Sequence, residues 1–121
     1  MSHLPALVAD NILLLKQLAD VLGGLPPGAY DGGDDRCLGS SIGGHVRHCL
    51  EHYGSFFDGL DVGRQLAFLL SHTIHHCALI AVMMRLRGLA TPPGFGVAPS
   101  TLRHRDAQLL THTTVRAAVA S

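Results

Sequence analysis

Apolar residues recur at three- and four-residue intervals through most of this chain, and no stretch alternates apolar and polar positions as a half-buried strand does. Leu7, Val8, Ile12, Leu15, Leu18 and Leu22 form one such series, which predicts a helix over Leu4 to Leu22. Pro5 suits its first turn, and Gly23-Gly24 stops it. A second series, Ile42, Val46, Cys49, Leu50, Tyr53, Phe57 and Leu60, predicts a helix opened by Ser40 or Ser41 as cap and closed at Gly59 or Gly63. A third helix is expected from about Gly63 to Arg87. It is apolar nearly all round (Leu66, Phe68, Leu69, Leu70, Ile74, Leu79, Ile80, Val82, Met83), which suits a central position. Arg85 and Arg87 favour its C-terminal end, and Gly88 stops it.

Between these runs the chain is punctuated by turn residues. Leu25 to Gly39 holds Pro26-Pro27-Gly28, Asp31-Gly32-Gly33 and Asp34-Asp35, and reads as loop. Thr91 to Pro99 is a second irregular segment, and a short fourth helix over Asp106 to Val119 is compatible with the pattern. The expected fold class is all-α: an up-and-down helical bundle, three long helices plus a short C-terminal one, in a single domain over residues 1–121.

Composition narrows the function classes. Nine Lys and Arg balance nine Asp and Glu, so no basic excess points to nucleic acid and no basic amphipathic helix points to a membrane surface. The stretch Leu66 to Leu86 is about long enough to span a bilayer, but three histidines at its centre argue for a buried helix. The first residues lack the basic and apolar regions of a signal peptide. Cys37, Cys49 and Cys77 are odd in number and have no paired spacing, which suits free thiols in a reducing cytoplasm. Low charge with 47% hydrophobic residues also fits a chain that hides surface in a homodimer.

The chemistry lies in the histidines. Six of nine fall in two clusters, His45-Val46-Arg47-His48-Cys49-Leu50-Glu51-His52 and Ser71-His72-Thr73-Ile74-His75-His76. His72 and His76 are four apart and differ by about 40° around a helix axis, so both imidazoles can reach one ion without distorting the backbone. His75 points elsewhere. On the second helix, periodicity brings His45 nearest the apolar stripe, then His52, then His48. Each alone also reads as a boundary histidine.

Rival chemistries fit less well. His48-Cys49-Leu50-Glu51-His52 matches the H-x-x-E-H zinc-peptidase helix, but that site needs a further acidic ligand and Glu51 is the only glutamate in the chain. A di-iron carboxylate bundle fails on the same count. Nothing beyond the histidines supports a haem. Cys77 beside His76 reads as a packed thiol rather than a nucleophile.

Three separated segments carry a family resemblance. Ser41-Ile42-Gly43-Gly44-His45-Val46-Arg47-His48 resembles the start of the second helix of DinB-like (YfiT-like) four-helix proteins. Ser71 to Ala81 resembles their later histidine helix, and Phe95-Gly96-Val97-Ala98-Pro99-Ser100-Thr101-Leu102 resembles the C-terminal signature of an uncharacterised branch. The resemblance covers most of Ser40 to Leu102. It implies a divalent ion, zinc or nickel, held by His48, His72 and His76, with His45 as substitute for the first. It implies a small-molecule substrate, such as a low-molecular-weight thiol, and transferase or hydrolase chemistry at the open coordination positions. The family normally carries another helix between its second helix and the histidine pair. Here only Asp61-Val62-Gly63-Arg64-Gln65 joins Leu60 to Leu66, as though an internal segment were missing. That shortening leaves one side of the bundle open, so a partner copy is expected to cover it. The alternative expectation is a non-catalytic, metal-stabilised or metal-free helical protein that acts as a dimeric interaction module.

Overall fold

The computed structural model describes residues 4–56 and 62–120. Four α-helices account for most of them: α1 (Leu4–Gly23), α2 (Ile42–Phe56), α3 (Val62–Leu86) and α4 (Pro99–Ala120). No strand occurs among the described residues, and the fold is the all-α bundle that the apolar spacing predicts. The expected end of helix 2 at Gly59, and the positions Phe57 and Leu60, lie outside the described residues; Gly63 falls inside α3.

α3 is the central helix, packed against both α1 and α2. It is also long and apolar enough to cross a membrane, by length and composition only. Its first half meets α1 where the Asn11 amide donates to the Leu66 carbonyl at 3.2 Å. Towards its end Ile80, Met83 and Met84 share a core with Leu18 and Val21, so α1 and α3 run in the same direction. α2 runs against α3: His45 lies beside His76, His48 beside His72, and His52 beside Phe68. The centre of the core is Leu18, Val21, Ile42, Val46, Cys77, Ile80, Ala81, Met83, Met84 and Phe95.

The buried face of α1 is rotated from the one its leucine series suggests. Asn11, Leu14, Leu18 and Val21 point inward, while Val8 and Ile12 are exposed. The reason is a polar knot that ties three helices together. The buried Asn11 amide donates to Leu7 and Leu66 carbonyls and accepts from the Tyr53 hydroxyl, which in turn accepts from Thr73 Oγ1 at 3.2 Å. A buried amide is costly when unpaired and acceptable when its donors and acceptor are all used. On α2, Leu50 is 54% exposed, contrary to its expected place in the stripe.

α4 begins at Pro99, ahead of the expected Asp106. Proline's missing N–H costs nothing in a first turn. From Arg103 onward every described side chain of α4 is exposed, and the helix is tied to the body by the Arg103–Asp10 ion pair at 2.9 Å. The segment before it is tightly seated. Phe95 is buried in the core, and Gly96 adopts a left-handed φ of 82° against the backbone of Cys77 and Ala78. A Cβ there would lie 3.1 Å from the Ala78 Cα, so the glycine answers both the conformation and the close approach.

Candidate metal centre

The start of α2 is set by two local devices. Ser41 Oγ accepts from the Gly44 amide at 3.0 Å and caps the helix. Gly43 donates to the Tyr30 carbonyl at 2.8 Å, at a point where the Tyr30 ring also presses on the helix. The loop that carries Tyr30 is held in turn by Arg87, which donates to the carbonyls of Ala29 and Gly32, and by the pairing of Arg36 with Asp34 at 2.9 Å. That guanidinium holds the Asp34 carboxyl below its ordinary range. With its entry pinned, α2 lies antiparallel to α3, and the two histidine clusters face each other along the seam.

The pairing along that seam is specific. His48 Nε2 and His72 Nε2 are 3.0 Å apart. His52 lies with its ring centroid 4.1 Å from that of His72 and 4.7 Å from that of His48. Phe68 stacks on His72 at 5.4 Å with an interplanar angle of 22°. Further along, His45 Nδ1 and His76 Nδ1 are 2.8 Å apart. His75 is exposed and touches only the edge of the His76 ring, at 5.2 Å.

Among the described residues, His48, His52 and His72 offer ligand atoms that all lie within 4.8 Å of one another. The structure thus brings together His48 and His72 of the expected ligand set, and completes the group with His52. His76 stands beside both, with ring centroids 4.7 Å from His48 and 4.5 Å from His72, but its Nδ1 faces His45. His45, favoured by periodicity, belongs to this second pairing. The sequence did carry a signal for His52: it stands four residues after His48, the same spacing as His72 and His76.

The donor set is of a kind that can hold a metal ion. Imidazole ligates in its neutral form, and burial pushes the imidazoles of His72 and His45 below their ordinary pKa, with neighbouring histidines adding to the shift. His76 is pushed furthest, from 6.5 to about 4, again chiefly by burial. At metal–nitrogen lengths of about 2.0–2.1 Å, two ligands lie roughly 2.8–3.0 Å apart at a right angle and roughly 3.3–3.4 Å apart at the tetrahedral angle. The His48–His72 spacing of 3.0 Å matches the former. One ring nitrogen, His72 Nδ1, is buried without a hydrogen-bond partner. The hydrogen-bonding demands of this ring are therefore met on one side only.

A cavity of about 350 Å³ opens beside the cluster, lined by Ser40, Ser41, Gly44, His45, His48 and His76. Cys49 and Cys77 are buried and their thiols are pushed up to about 11 and about 12 by burial, so neither supplies a thiolate near neutral pH.

No family model matches the chain, and no solved structure matches it. A stretch of 67 residues, 55% of the chain, is 37% identical to FK506-binding protein 5 of Rhizopus delemar. The chain spans only 16% of the length of that curated relative.

Proposed function

We propose that this chain is a small metal-dependent enzyme of the DinB-like (YfiT-like) type, of the thiol-dependent transferase or hydrolase kind, with a divalent zinc or nickel ion held between α2 and α3. The observation that carries this reading is the convergence of His48, His52 and His72. Three neutral imidazoles leave coordination positions open, and a bound ion supplies Lewis acidity that lowers the pKa of water or a thiol. The protein's own contribution is to hold the ligands and shape the approach. The Asn11–Tyr53–Thr73 knot fixes the α2–α3 register next to the cluster. Phe68 covers one face of His72, and the cavity at the start of α2 admits a small molecule such as a low-molecular-weight thiol.

In this reading the protein works as a homodimer in a reducing cytoplasm. Phe68, His75, Leu79, Val82 and Leu86 are exposed on α3, and with His72 they fall at alternating four- and three-residue steps, the spacing of a helix–helix seam. Most of α4 is likewise exposed, including Leu109 and Leu110.

The test is elemental analysis of untagged protein, with melting temperature before and after chelation. Stoichiometric zinc or nickel with a small melting shift supports an open catalytic site. A large shift supports the rival reading, in which the ion is a structural tie between α2 and α3. Protein that neither retains nor takes up metal refutes both. His72→Ala and His52→Ala should each abolish stoichiometric binding at this centre, while His75→Ala should not.

A further inference from the structure

We propose a second divalent-cation site, held by His45 and His76 at the floor of the cavity beside the first. The proposal rests on the reading of His48, His52 and His72 as a metal centre, and extends it to a two-ion basin.

Five imidazoles line the α2–α3 seam, and they divide into two groups by where their nitrogens point. Three converge as described. The other two turn Nδ1 to Nδ1 at 2.8 Å, and both line the cavity together with His48 of the trio. That contact engages the Nδ1 atoms of His45 and His76 with each other, and neither residue belongs to the trio whose ligand atoms converge. The 2.8 Å contact lies at the short end of the roughly 2.8–3.0 Å that two nitrogens keep when they share one ion at a right angle. Both rings are only half-buried. His45 comes from the first turn of α2 and His76 from the middle of α3, so an ion between them would join the same two helices as the first.

The chemistry of the surroundings matches a site that takes an exogenous ligand. Two imidazoles do not complete any common coordination shell. The remaining positions face a cavity of about 350 Å³ with the Ser40 and Ser41 side chains on its wall. Ser41 Oγ already accepts from the Gly44 amide. The backbone donors of the first turn are also committed, Gly43 to Tyr30 and His45 to the Ser41 carbonyl. The wall is therefore not an anion cradle of free amides, and imidazole nitrogen is the donor it presents. A borderline cation such as zinc fits this donor type, and its open positions would take water or a small-molecule thiolate. The His76 ring lies 4.7 Å from His48 and 4.5 Å from His72, so one small ligand in the cavity could meet both ions.

Equilibrium dialysis of untagged, metal-free protein against zinc, followed by elemental analysis, reads the stoichiometry. Wild type should hold two ions per chain. His45→Gln and His76→Gln should each hold one, His52→Gln one, and His75→Gln two, with circular dichroism checking that helix content is unchanged. Ring-nitrogen NMR of wild type during zinc titration gives an independent reading that needs no variant. His45 and His76 should shift with one equivalent, and His48, His52 and His72 with another. One ion in wild type and one in His45→Gln overturns the second site and leaves the first standing. One ion in wild type that is lost in His45→Gln but kept in His52→Gln overturns the trio instead. No ion in wild type overturns both.

Discussion

Two glycines on α2 test whether the entry of that helix is seated as described. At Gly43 a Cβ would lie 2.7 Å from Tyr30 Cε1 and 2.9 Å from the Tyr30 carbonyl oxygen. The ring could turn aside, but the carbonyl cannot, because it accepts the Gly43 amide at 2.8 Å. At Gly54, on the same helix, nothing lies within 4 Å of the added carbon. Replacing glycine by alanine in a helix gains about 1 kcal/mol where space is free, while overpacking a fixed contact costs roughly 1–3 kcal/mol. Gly54→Ala should therefore stabilise by about 1 kcal/mol, and Gly43→Ala should destabilise by roughly 0–2 kcal/mol after the propensity gain is offset. The two variants should differ by about 1–3 kcal/mol, or roughly 5–15 °C in melting temperature for a domain of this size. Urea unfolding followed by circular dichroism, with a thermal melt beside it, measures the difference. Equal stabilisation of both variants would refute the Tyr30 contact, and with it the positioning of His45 two residues further on.

The histidine seam makes stability pH-dependent in a definite direction. Burial lowers the His76 pKa to about 4 in the folded chain, against 6.5 for a free side chain. Between those values the unfolded state binds more protons, so stability rises with pH and is full above about 6.5. Metal-free protein should lose stability through this group as pH falls from 7 towards 4, and urea titrations of His76→Gln should show a shallower loss. His45 and His72 act in the same direction. Thiol accessibility offers a separate check on the core. Ellman's reagent should react with Cys37 alone in the native protein, and with Cys49 and Cys77 only on unfolding; a second fast thiol would contradict their burial.

Much of the fold was legible because helical periodicity is a local property. The spacing of Leu18, Ile42, Val46 and Ile80, and the stops at Gly23-Gly24 and Gly88, mark α1, α2 and α3 without knowledge of what packs on what. The rotation of α1 was not legible. Nothing in the apolar spacing of α1 marks Asn11 as buried, because its partners Tyr53 and Leu66 come from two other helices. Phe68, Leu79 and Val82 read as core on an all-apolar helix and lie on its exposed side. The early start of α4 was missed because its first turns, Pro99-Ser100-Thr101-Leu102, carry little apolar periodicity and read as loop.

The same division holds at the candidate site. By itself the sequence determined that helix-forming segments bear imidazoles four residues apart, at 48 and 52 and again at 72 and 76, because residue type and spacing along one helix are independent of its neighbours. Only the tertiary structure decided which rings meet. That choice follows from the antiparallel register of α2 on α3, set by the Ser41 cap, the Gly43–Tyr30 contact and the Asn11–Tyr53–Thr73 knot. A shift of one turn along the seam would pair different histidines from the same sequence, since a helix face repeats about every 5.4 Å and nothing local distinguishes one turn from the next.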